Sequence, residues 1–299
     1  MDASVIVTNY DTWALTERCV AGVNRHFSAG VREILVVDDG SSTPRPADLP
    51  ANVRVIQNPR NLGYAASVNA GVAEARGDLV LLLDSDACPV MDLMDPLLRA
   101  FSAEPKLGAV AMQTVAEDGS PTQSSMDVPD AMTFLLGPRL DPYYIKLRNA
   151  VSEPLVVLFS CALAVRRSAF EELGGFDTGF DFLDADLDFS MRLSEAGWET
   201  RLDRSLLAIH EGGGSPQSQS KRVLRCYRNR WRLLEKHRAL PAPTALKTVL
   251  ALRHMAEAET LLMLIGVTRG ERRELYREKL RMRWKLFRTV WGGYRDAVL

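Results

Sequence analysis

Residues 79–86 read Leu-Val-Leu-Leu-Leu-Asp-Ser-Asp, five apolar residues followed by three polar ones. An unbroken apolar run of this length is typical of a strand that is buried on both faces, as in a parallel sheet covered by helices. Asp84, Ser85 and Asp86 then fall at the carboxyl end of the strand, where open parallel sheets bind their ligands. The run therefore predicts both a fold class and the place of a site.

Three other β-rich runs come earlier in the chain, at Ser4–Thr8, Glu33–Val37 and Val53–Ile56. Helical patterns accompany them, for example at Ala65–Arg76 and Asp92–Ala103. Strands that alternate with helices are typical of an α/β domain with a mostly parallel sheet. We therefore predict such a domain in the first part of the chain.

The later part of the chain is less regular. Residues 114–150 lose periodicity, which predicts a long functional or mobile loop. Helices are expected again near Arg167–Leu173 and Asp186–Ala196. A Gly-Gly-Gly-Ser-Pro break ends at residue 216, and the rest of the chain has helical patterns. The prediction is a catalytic domain over residues 1–216 and a helical extension over 217–299.

Charge divides the chain in the same way. Residues 221–299 hold 20 Lys and Arg against 7 Asp and Glu, whereas residues 1–220 hold 17 against 31, and the whole chain has a net charge of −1. Its four cysteines form no C-x-x-C pair, which argues against a disulfide framework or a thiolate zinc site. Neither a signal peptide nor an apolar run of roughly 18 residues is found, so a cytoplasmic protein is expected.

Polar residues follow three of the predicted strands, at residues 8–11, 38–41 and 84–86. One Asp-Gly-Ser after a strand is most often a turn, and one D-x-D is common. Three such clusters at the carboxyl ends of three strands are harder to explain by chance, and they predict one ligand site at this edge of the sheet.

The order of these pieces over residues 3–237 resembles the inverting glycosyltransferases of family 2, in the branch that builds bacterial surface polysaccharide and includes rhamnosyltransferases. The resemblance implies a GT-A fold, a nucleoside diphosphate sugar as donor, a saccharide or lipid-linked acceptor, and Mn²⁺ or Mg²⁺. Rhamnosyltransferase-like relatives often have Asn-Pro-Asp where this chain has Asp-Ser-Asp. The motifs are Val-Val-Asp-Asp-Gly-Ser (36–41), Asn-Leu-Gly-Tyr (61–64), Asn-Ala-Gly (69–71), Ala-Arg-Gly-Asp (75–78), Leu-Asp-Ser-Asp (83–86), Gly-Gly-Phe-Asp (174–177), Asp-Leu-Asp (186–188) and His-Glu-Gly-Gly (210–213).

A diphosphate cannot be held by carboxylates directly, so a divalent cation must stand between them, and such cations favour oxygen ligands. The resemblance assigns Asp86 to the metal and Asp84 to the ribose or to the waters of the metal. His210 could add an imidazole nitrogen, which favours Mn²⁺. Its other interpretation is a structural histidine before a glycine turn.

The resemblance also indicates a donor pocket. Asp39 is a candidate to accept a hydrogen bond from the nucleobase, with Thr8 and Tyr10 beside it, and Asn61, Gly63 and Ser85 as further donor contacts. Asp38 and Asp39 also suit simple turn chemistry, and Asn61 and Gly63 suit a backbone turn.

An inverting transfer needs one carboxylate that takes the proton of the acceptor hydroxyl. Aligned on the helix that follows, Asp186 takes the position of the family's catalytic aspartate, just past Phe182 and Leu183. Ala185 stands where the family usually has glutamate. Asp184 and Asp188 are interpreted as a helix cap and a first-turn acid, each contributing roughly 1 kcal/mol to stability.

The basic extension contains one apolar stripe at helical spacing, formed by Tyr276, Leu280, Trp284, Phe287 and Trp291. A cationic helix with such a stripe can lie on an anionic membrane surface, which would make the protein peripheral at the inner face of the plasma membrane. The stripe can equally pack on the catalytic domain or on a second subunit, as in a homodimer. Nucleic acid is not an expected partner.

Two other functional classes share parts of this pattern. A nucleotidyltransferase usually has a Gly-rich, basic loop after its first strand, and residues 8–11 lack both features. A non-catalytic sugar-nucleotide binder would need neither Asp186 nor metal ligands. We therefore expect an enzyme.

Overall fold

In chain order, strands and helices are interspersed over the first 210 residues, and the described residues from 218 onward are mainly helical. The computed structural model describes five stretches of the chain, which are residues 1–27, 29–151, 156–181, 184–210 and 218–297. The strands are β1 (Ala3–Asn9), β2 (Val31–Asp38), β3 (Val53–Gln57), β4 (Leu79–Asp84), β5 (Ala87–Pro89), β6 (Leu107–Val115), β7 (Ser125–Asp127), β8 (Val156–Leu158), β9 (Ala162–Arg166) and β10 (Glu199–His210). The helices are α1 (Trp13–His26), α2 (Tyr64–Glu74), α3 (Met94–Ala103), α4 (Ala131–Leu136), α5 (Asp141–Asn149), α6 (Arg167–Glu172), α7 (Ala185–Glu195), α8 (Gln219–Lys236), α9 (Pro243–Val267) and α10 (Gly270–Thr289).

The chain divides into two compact units, each built from two chain segments. The first unit comprises Met1–Val128 and Val156–Ser215, and the second comprises Pro129–Leu155 and Pro216–Leu299. The boundary predicted between residues 216 and 217 lies outside the described residues and stays a prediction. Residues 129–155 group with the C-terminal helices, although the sequence placed them in the catalytic domain.

An eight-stranded sheet forms the first unit, with the order β3-β2-β1-β4-β9-β6-β10-β5. The four strands predicted from the sequence are β1 to β4, which are parallel neighbours. β9 is antiparallel to both β4 and β6, and β5 is antiparallel to β10, so the sheet is mixed. The α/β prediction is confirmed, whereas β5, β6, β9 and β10 were not among the predicted strands.

Helix α2 lies close to the sheet because of a glycine. Its buried face carries Ala65, Val68 and Val72, spaced three and four residues apart. A side chain at Gly71 would come within 2.7 Å of Ile6 Cγ2, so only glycine permits this approach. The close packing sets the start of α2 at the carboxyl ends of β1 and β2.

The second unit has its own apolar core. Phe134 of α4 packs there with residues of α8, α9 and α10, including Trp231, Leu250 and Leu286. Residues 114–150 are therefore not one long loop, since they hold the end of β6, β7, α4 and α5. The prediction failed because Pro129, Gly137, Pro138 and Pro142 are typical of loops, and they outweigh the short apolar spacing in α5, a helix that buries none of its residues.

Helix α10 buries a face other than the predicted stripe. Met282 and Leu286 of α10 enter the core, as does Val290 in the 3-10 turn that follows the helix (Val290–Gly292), and Phe287 packs at the side of this core. Trp284 and Trp291 remain exposed. Across the described residues, every helix is too short or too polar to cross a bilayer.

Candidate active site

The carboxyl ends of β1, β2 and β4 form one edge of the sheet. Thr8 of β1 lies opposite Val37 of β2 on one side and opposite Asp84 of β4 on the other. Because the three strands are parallel and in this register, the polar residues that follow them are brought together. The three clusters at residues 8–11, 38–41 and 84–86 are therefore neighbours, as the sequence predicted.

Asn9 connects these clusters. Its buried amide donates to Oδ1 of Asp38 at 2.9 Å and to Oγ of Ser41 at 3.0 Å. Its Oδ1 accepts a hydrogen bond of 3.1 Å from the hydroxyl of Thr12, and the oxygen of that hydroxyl lies 2.9 Å from Oγ of Ser85. Asp38 is thus occupied in holding the loops and follows the turn interpretation.

Asp11 joins the loop after β1 to the loop after β2. Its backbone is left-handed, with φ of 54°, and its carboxylate accepts hydrogen bonds from the backbone N–H groups of Ser42 and Thr43. The bond from Thr43 is the main reason that the pKa of Asp11 is lowered. Tyr10 is exposed and Thr8 half-buried at this edge. The sequence did not indicate the role of Asp11.

Asp39 holds the turn that precedes α2. Its Oδ1 accepts hydrogen bonds of 2.8 Å from Asn58 Nδ2 and from the backbone of Leu62, and its Oδ2 accepts one of 2.9 Å from the backbone of Gly63. Gly63 has φ of 92°, which favours glycine, and Asn61 is exposed at the tip of the turn. Turn chemistry is therefore part of what Asp39, Asn61 and Gly63 do.

Asp84, Asp86 and His210 form a cluster at the same edge. Asp84 ends β4, and the pairing of β5 with β10 places His210 opposite Ala87, next to Asp86. Nε2 of His210 lies 3.4 Å from Oδ1 of Asp86 and 3.9 Å from Oδ2 of Asp84. One ligand atom from each of the three side chains lies within 4.8 Å of the others.

The electrostatics of this cluster favour a cation. Burial, followed by the charge of Asp86, raises the pKa of Asp84 to about 7. The hydrogen bond with Asp86 raises the pKa of His210. Oδ1 of Asp84 is buried and has no hydrogen-bond partner among the described residues. Two carboxylates and an imidazole, with one buried carboxylate oxygen that has no hydrogen-bond partner among the described residues, are suitable ligands for Mn²⁺ or Mg²⁺.

Asp186 lies in the first turn of α7 and has different partners. Its Oδ1 accepts a hydrogen bond of 2.9 Å from the backbone N–H of Leu187. Its Oδ2 accepts two from Ser160, at 3.2 Å from the backbone N–H and 3.4 Å from the hydroxyl. Burial raises the pKa of Asp186 to about 6. Such a group is ionised at neutral pH and can accept a proton.

Tyr64 and Ser160 are site residues whose polar roles the sequence did not indicate. The hydroxyl of Tyr64 donates to Oγ of Ser160 at 2.9 Å. Ser160 is placed there because the next residue, Cys161, accepts a hydrogen bond from the backbone N–H of Asp84 as β9 pairs with β4. The apolar run at β9 could have located this strand but not its antiparallel direction, which decides where Ser160 lies.

Asp184 and Asp188 flank the start of α7, as predicted, but their surroundings differ from the prediction. Asp184 precedes the helix with φ of 69°, and its side chain makes no capping hydrogen bond to the first turn. The side chain of Asp188 is completely buried and forms an ion pair of 2.8 Å with Arg192. Arg192 also donates to the carbonyls of Leu173 and Gly175. Asp188 is therefore part of a buried network, and we expect its loss to cost more than the roughly 1 kcal/mol predicted for a first-turn acid.

Two features of the sequence interpretation fall outside the described residues. They are the apolar pair Phe182-Leu183 before the proposed base and the Glu-Gly-Gly stretch that follows His210.

Comparisons with known proteins agree with this architecture. The model of the family described as Glycosyl transferase family 2 matches residues 4–174. An N-acetylglucosaminyl-diphospho-decaprenol L-rhamnosyltransferase from Mycobacterium tuberculosis is 31% identical over 218 residues, which are 65% of this chain and 71% of that protein. The O-antigen biosynthesis protein RfbC from Myxococcus xanthus is 26% identical over 63% of this chain and 16% of that protein.

Solved structures are similar in fold. A mannosyltransferase from Pyrobaculum calidifontis, in complex with GDP-Man and Mn²⁺, has a TM-score of 0.58 at 18% identity and covers 98% of this chain and 87% of its own. GalNAc-T7 with UDP, GalNAc and Mn²⁺ has a TM-score of 0.57 at 18% identity, over 78% and 48% of the two chains. Since the family model covers more than half of this chain and the mycobacterial relative is matched over most of its length, the chain is a glycosyltransferase of family 2 with the GT-A fold.

Proposed function

We propose that this glycosyltransferase moves a sugar from a nucleoside diphosphate sugar to an acceptor hydroxyl with inversion, and that it requires Mn²⁺ or Mg²⁺. The observation that carries the proposal is the presence of two different acidic groups at one edge of the sheet. Asp84, Asp86 and His210 each place one ligand atom within 4.8 Å of the others. Asp186 is instead oriented by Ser160.

The metal part rests on the fit of the cluster to a cation. Asp86 and His210 would hold the cation, and Asp84 would contact its waters or the donor ribose. When bound, the cation neutralises the diphosphate and stabilises it as a leaving group. The buried Oδ1 of Asp84, which has no hydrogen-bond partner among the described residues, supports this assignment, as does the pKa of Asp84, which burial and the charge of Asp86 raise.

The donor part rests on the loops at the carboxyl ends of β1, β2 and β4. Oδ2 of Asp39 accepts one hydrogen bond, and a carboxylate oxygen has room for a second, which a nucleobase N–H could donate. Tyr10 is exposed at this edge and offers a ring face for stacking. The residues that we assign to the donor are Thr8, Tyr10, Asp39, Asn61, Gly63, Asp84 and Ser85.

Asp186 is the proposed general base. As the acceptor oxygen attacks the anomeric carbon, the carboxylate takes the proton of the attacking hydroxyl, and the bond between the sugar and the diphosphate breaks. The three hydrogen bonds that Asp186 accepts fix the direction of its side chain, and the N–H and hydroxyl of Ser160 approach one oxygen only. Tyr64 holds the Ser160 hydroxyl in turn.

We further propose a lipid-linked saccharide as the acceptor and peripheral contact with an anionic membrane, as expected for a protein that works on the inner face of the plasma membrane. The mycobacterial relative is a transferase to a decaprenol-linked sugar by its name. Of the 19 large apolar side chains that are exposed in the described residues, 14 belong to the second unit. That unit also contains residues 221–299, where basic residues predominate. Apolar and cationic side chains together favour an anionic bilayer surface.

The proposal is tested by incubating the purified protein with a panel of nucleoside diphosphate sugars and a polyprenyl-linked saccharide acceptor. Mn²⁺, Mg²⁺ and a chelator are compared, and the anomeric configuration of the product is determined by NMR. We expect metal-dependent transfer with inversion. Transfer that persists in the chelator, or a retained configuration, would contradict the metal or the inverting part. Donor binding without transfer or hydrolysis would indicate a binder instead.

A further inference from the structure

Helix α5 presents its apolar side to solvent. Tyr143 and Leu147 lie on one face of α5, and Leu140 and Val151 flank the helix at the same spacing of three and four residues. In chain order, their exposed fractions are 54%, 72%, 71% and 86%. We call these four residues the α5 stripe.

The opposite side of α5 holds the helix to the second unit through polar contacts. The hydroxyl of Tyr144 donates to Oδ2 of Asp130 at 2.9 Å, and Arg148 pairs with the same oxygen at 2.8 Å. Asp130 is itself fixed, because its Oδ1 caps α4 by accepting from the backbone of Thr133 at 2.8 Å. The polar face of α5 is therefore turned inward and its apolar face outward, the reverse of an ordinary surface helix.

Positive charge accompanies the α5 stripe. Arg139 precedes Leu140 in the sequence and Lys146 precedes Leu147, and both basic residues are exposed. Among residues 139–151, the one acidic side chain is Asp141, which is partly buried. Long basic side chains can lay their stems on an apolar surface while their charge reaches the lipid headgroups.

We propose that the α5 stripe rests on an anionic lipid bilayer, with α5 lying in the plane of the headgroups. The proposal depends on the membrane contact given under Proposed function and adds to it a second helix, far in sequence from the basic extension. A second copy of the chain fits less well, because a two-fold interface buries the same patch from both copies. This patch carries Arg139 and Lys146, and only the partly buried Asp141 offsets their charge.

Vesicle binding of the full chain tests the proposal. Vesicles of phosphatidylcholine and phosphatidylglycerol in equal parts are compared with pure phosphatidylcholine by cosedimentation. The variant carries Tyr143→Ser, Leu147→Ser and Val151→Ser, and the matched control is Val90→Ser, an exposed apolar residue of the first unit. We expect the triple variant to partition onto the anionic vesicles at least about tenfold less than the wild type. The substitutions remove most of the apolar area that the α5 stripe would bury in the bilayer. The control should not change.

Two further measurements separate the outcomes. Amide hydrogen exchange over residues 139–151 should slow when anionic vesicles are added, and the thermal midpoint of the triple variant should equal that of the wild type, because the replaced side chains are exposed. Suppose that the triple variant binds vesicles as well as the wild type and that vesicles do not slow amide exchange in α5. That result would overturn the role of α5 and leave the basic extension as the contact. Absence of vesicle binding would overturn both membrane proposals, whereas metal-dependent transfer to a soluble acceptor would still stand. A dimer that the triple variant converts to a monomer would assign the α5 stripe to a second copy.

Discussion

Ser160 donates to Oδ2 of Asp186 twice, from its backbone N–H at 3.2 Å and from its hydroxyl at 3.4 Å. The two residues come from different elements, since Ser160 precedes β9 and Asp186 lies in the first turn of α7. The carboxylate is thus oriented by a segment of the sheet that also bonds to Asp84 through the carbonyl of Cys161. Ser160 and Cys161 therefore connect the proposed base, Asp186, to Asp84 of the acidic cluster.

Replacing the proposed base should remove turnover and leave the donor bound. Asp186→Asn keeps the size of the side chain but cannot accept the proton, so we expect kcat to fall by roughly 10²–10⁴. The dissociation constant of the donor with metal should change little, because the proposed donor contacts lie elsewhere. Asp184→Asn is the matched variant, since asparagine also tolerates the left-handed backbone at that position. A dead Asp184→Asn beside an active Asp186→Asn would show that the base is misassigned.

The pH dependence of turnover should report the same group. Burial raises the pKa of Asp186 to about 6, and the base acts only as a carboxylate. Turnover at saturating donor should therefore be full above this pH and fall about tenfold per pH unit below it. Donor and Mn²⁺ affinity must be measured at each pH, because Asp84 and His210 titrate nearby. A flat profile down to the ordinary range of aspartate would exclude a base with a raised pKa.

Removal of the proposed metal ligand should separate binding of the cation from folding. We expect Asp86→Ala to lose at least about 10² in kcat and most of its Mn²⁺ affinity, because the metal supplies several kcal/mol of charge stabilisation. The thermal midpoint of the metal-free protein should not fall, since Asp86 lies in a loop. Asp48→Ala, an exposed acid of the same unit, is the control. Calorimetric titration with Mn²⁺ gives the affinity, and full activity of Asp86→Ala at saturating donor would refute the assignment.

Asp188→Asn should be a stability variant. The change removes the buried carboxylate from its ion pair with the partly buried guanidinium of Arg192, and breaking a buried ion pair costs about 3–5 kcal/mol. Urea unfolding measures it as a loss in the free energy of unfolding. Asp95→Asn, which breaks an exposed ion pair on α3, should cost no more than about 1 kcal/mol and serves as the comparison. Equal costs for the two variants would mean that the buried pair contributes no more than a surface pair.

The parallel half of the sheet could be predicted from the sequence because its strands are apolar runs that end in polar residues. Leu79–Leu83 is buried throughout, as its composition predicts. The rest of the sheet was harder to predict. β6 is also completely buried, but β10 carries exposed and charged residues along much of its length, so neither alternation nor an apolar run marks it.

The sequence predicts where the candidate site lies better than it predicts how much each residue contributes to stability. The sequence places Asp84 and Asp86 together because only one residue separates them at a strand end. His210 joins them only through the antiparallel pairing of β5 with β10, which no local pattern specifies. Likewise, the 1 kcal/mol expected for Asp188 assumed an exposed acid, and only the packing of α7 reveals that its partner is Arg192.

The division of each unit into two chain segments has a consequence for biosynthesis. Phe134 leaves the ribosome early, yet the residues that cover it, such as Trp231 and Tyr294, come from the end of the chain. At ordinary elongation rates of about 5–20 residues per second, α4 waits on the order of ten seconds for these partners. During that interval its apolar side chains are available to chaperones. A stop codon before α10 would make this exposure permanent, so truncated chains should be cleared as misfolded rather than accumulate as free catalytic domains.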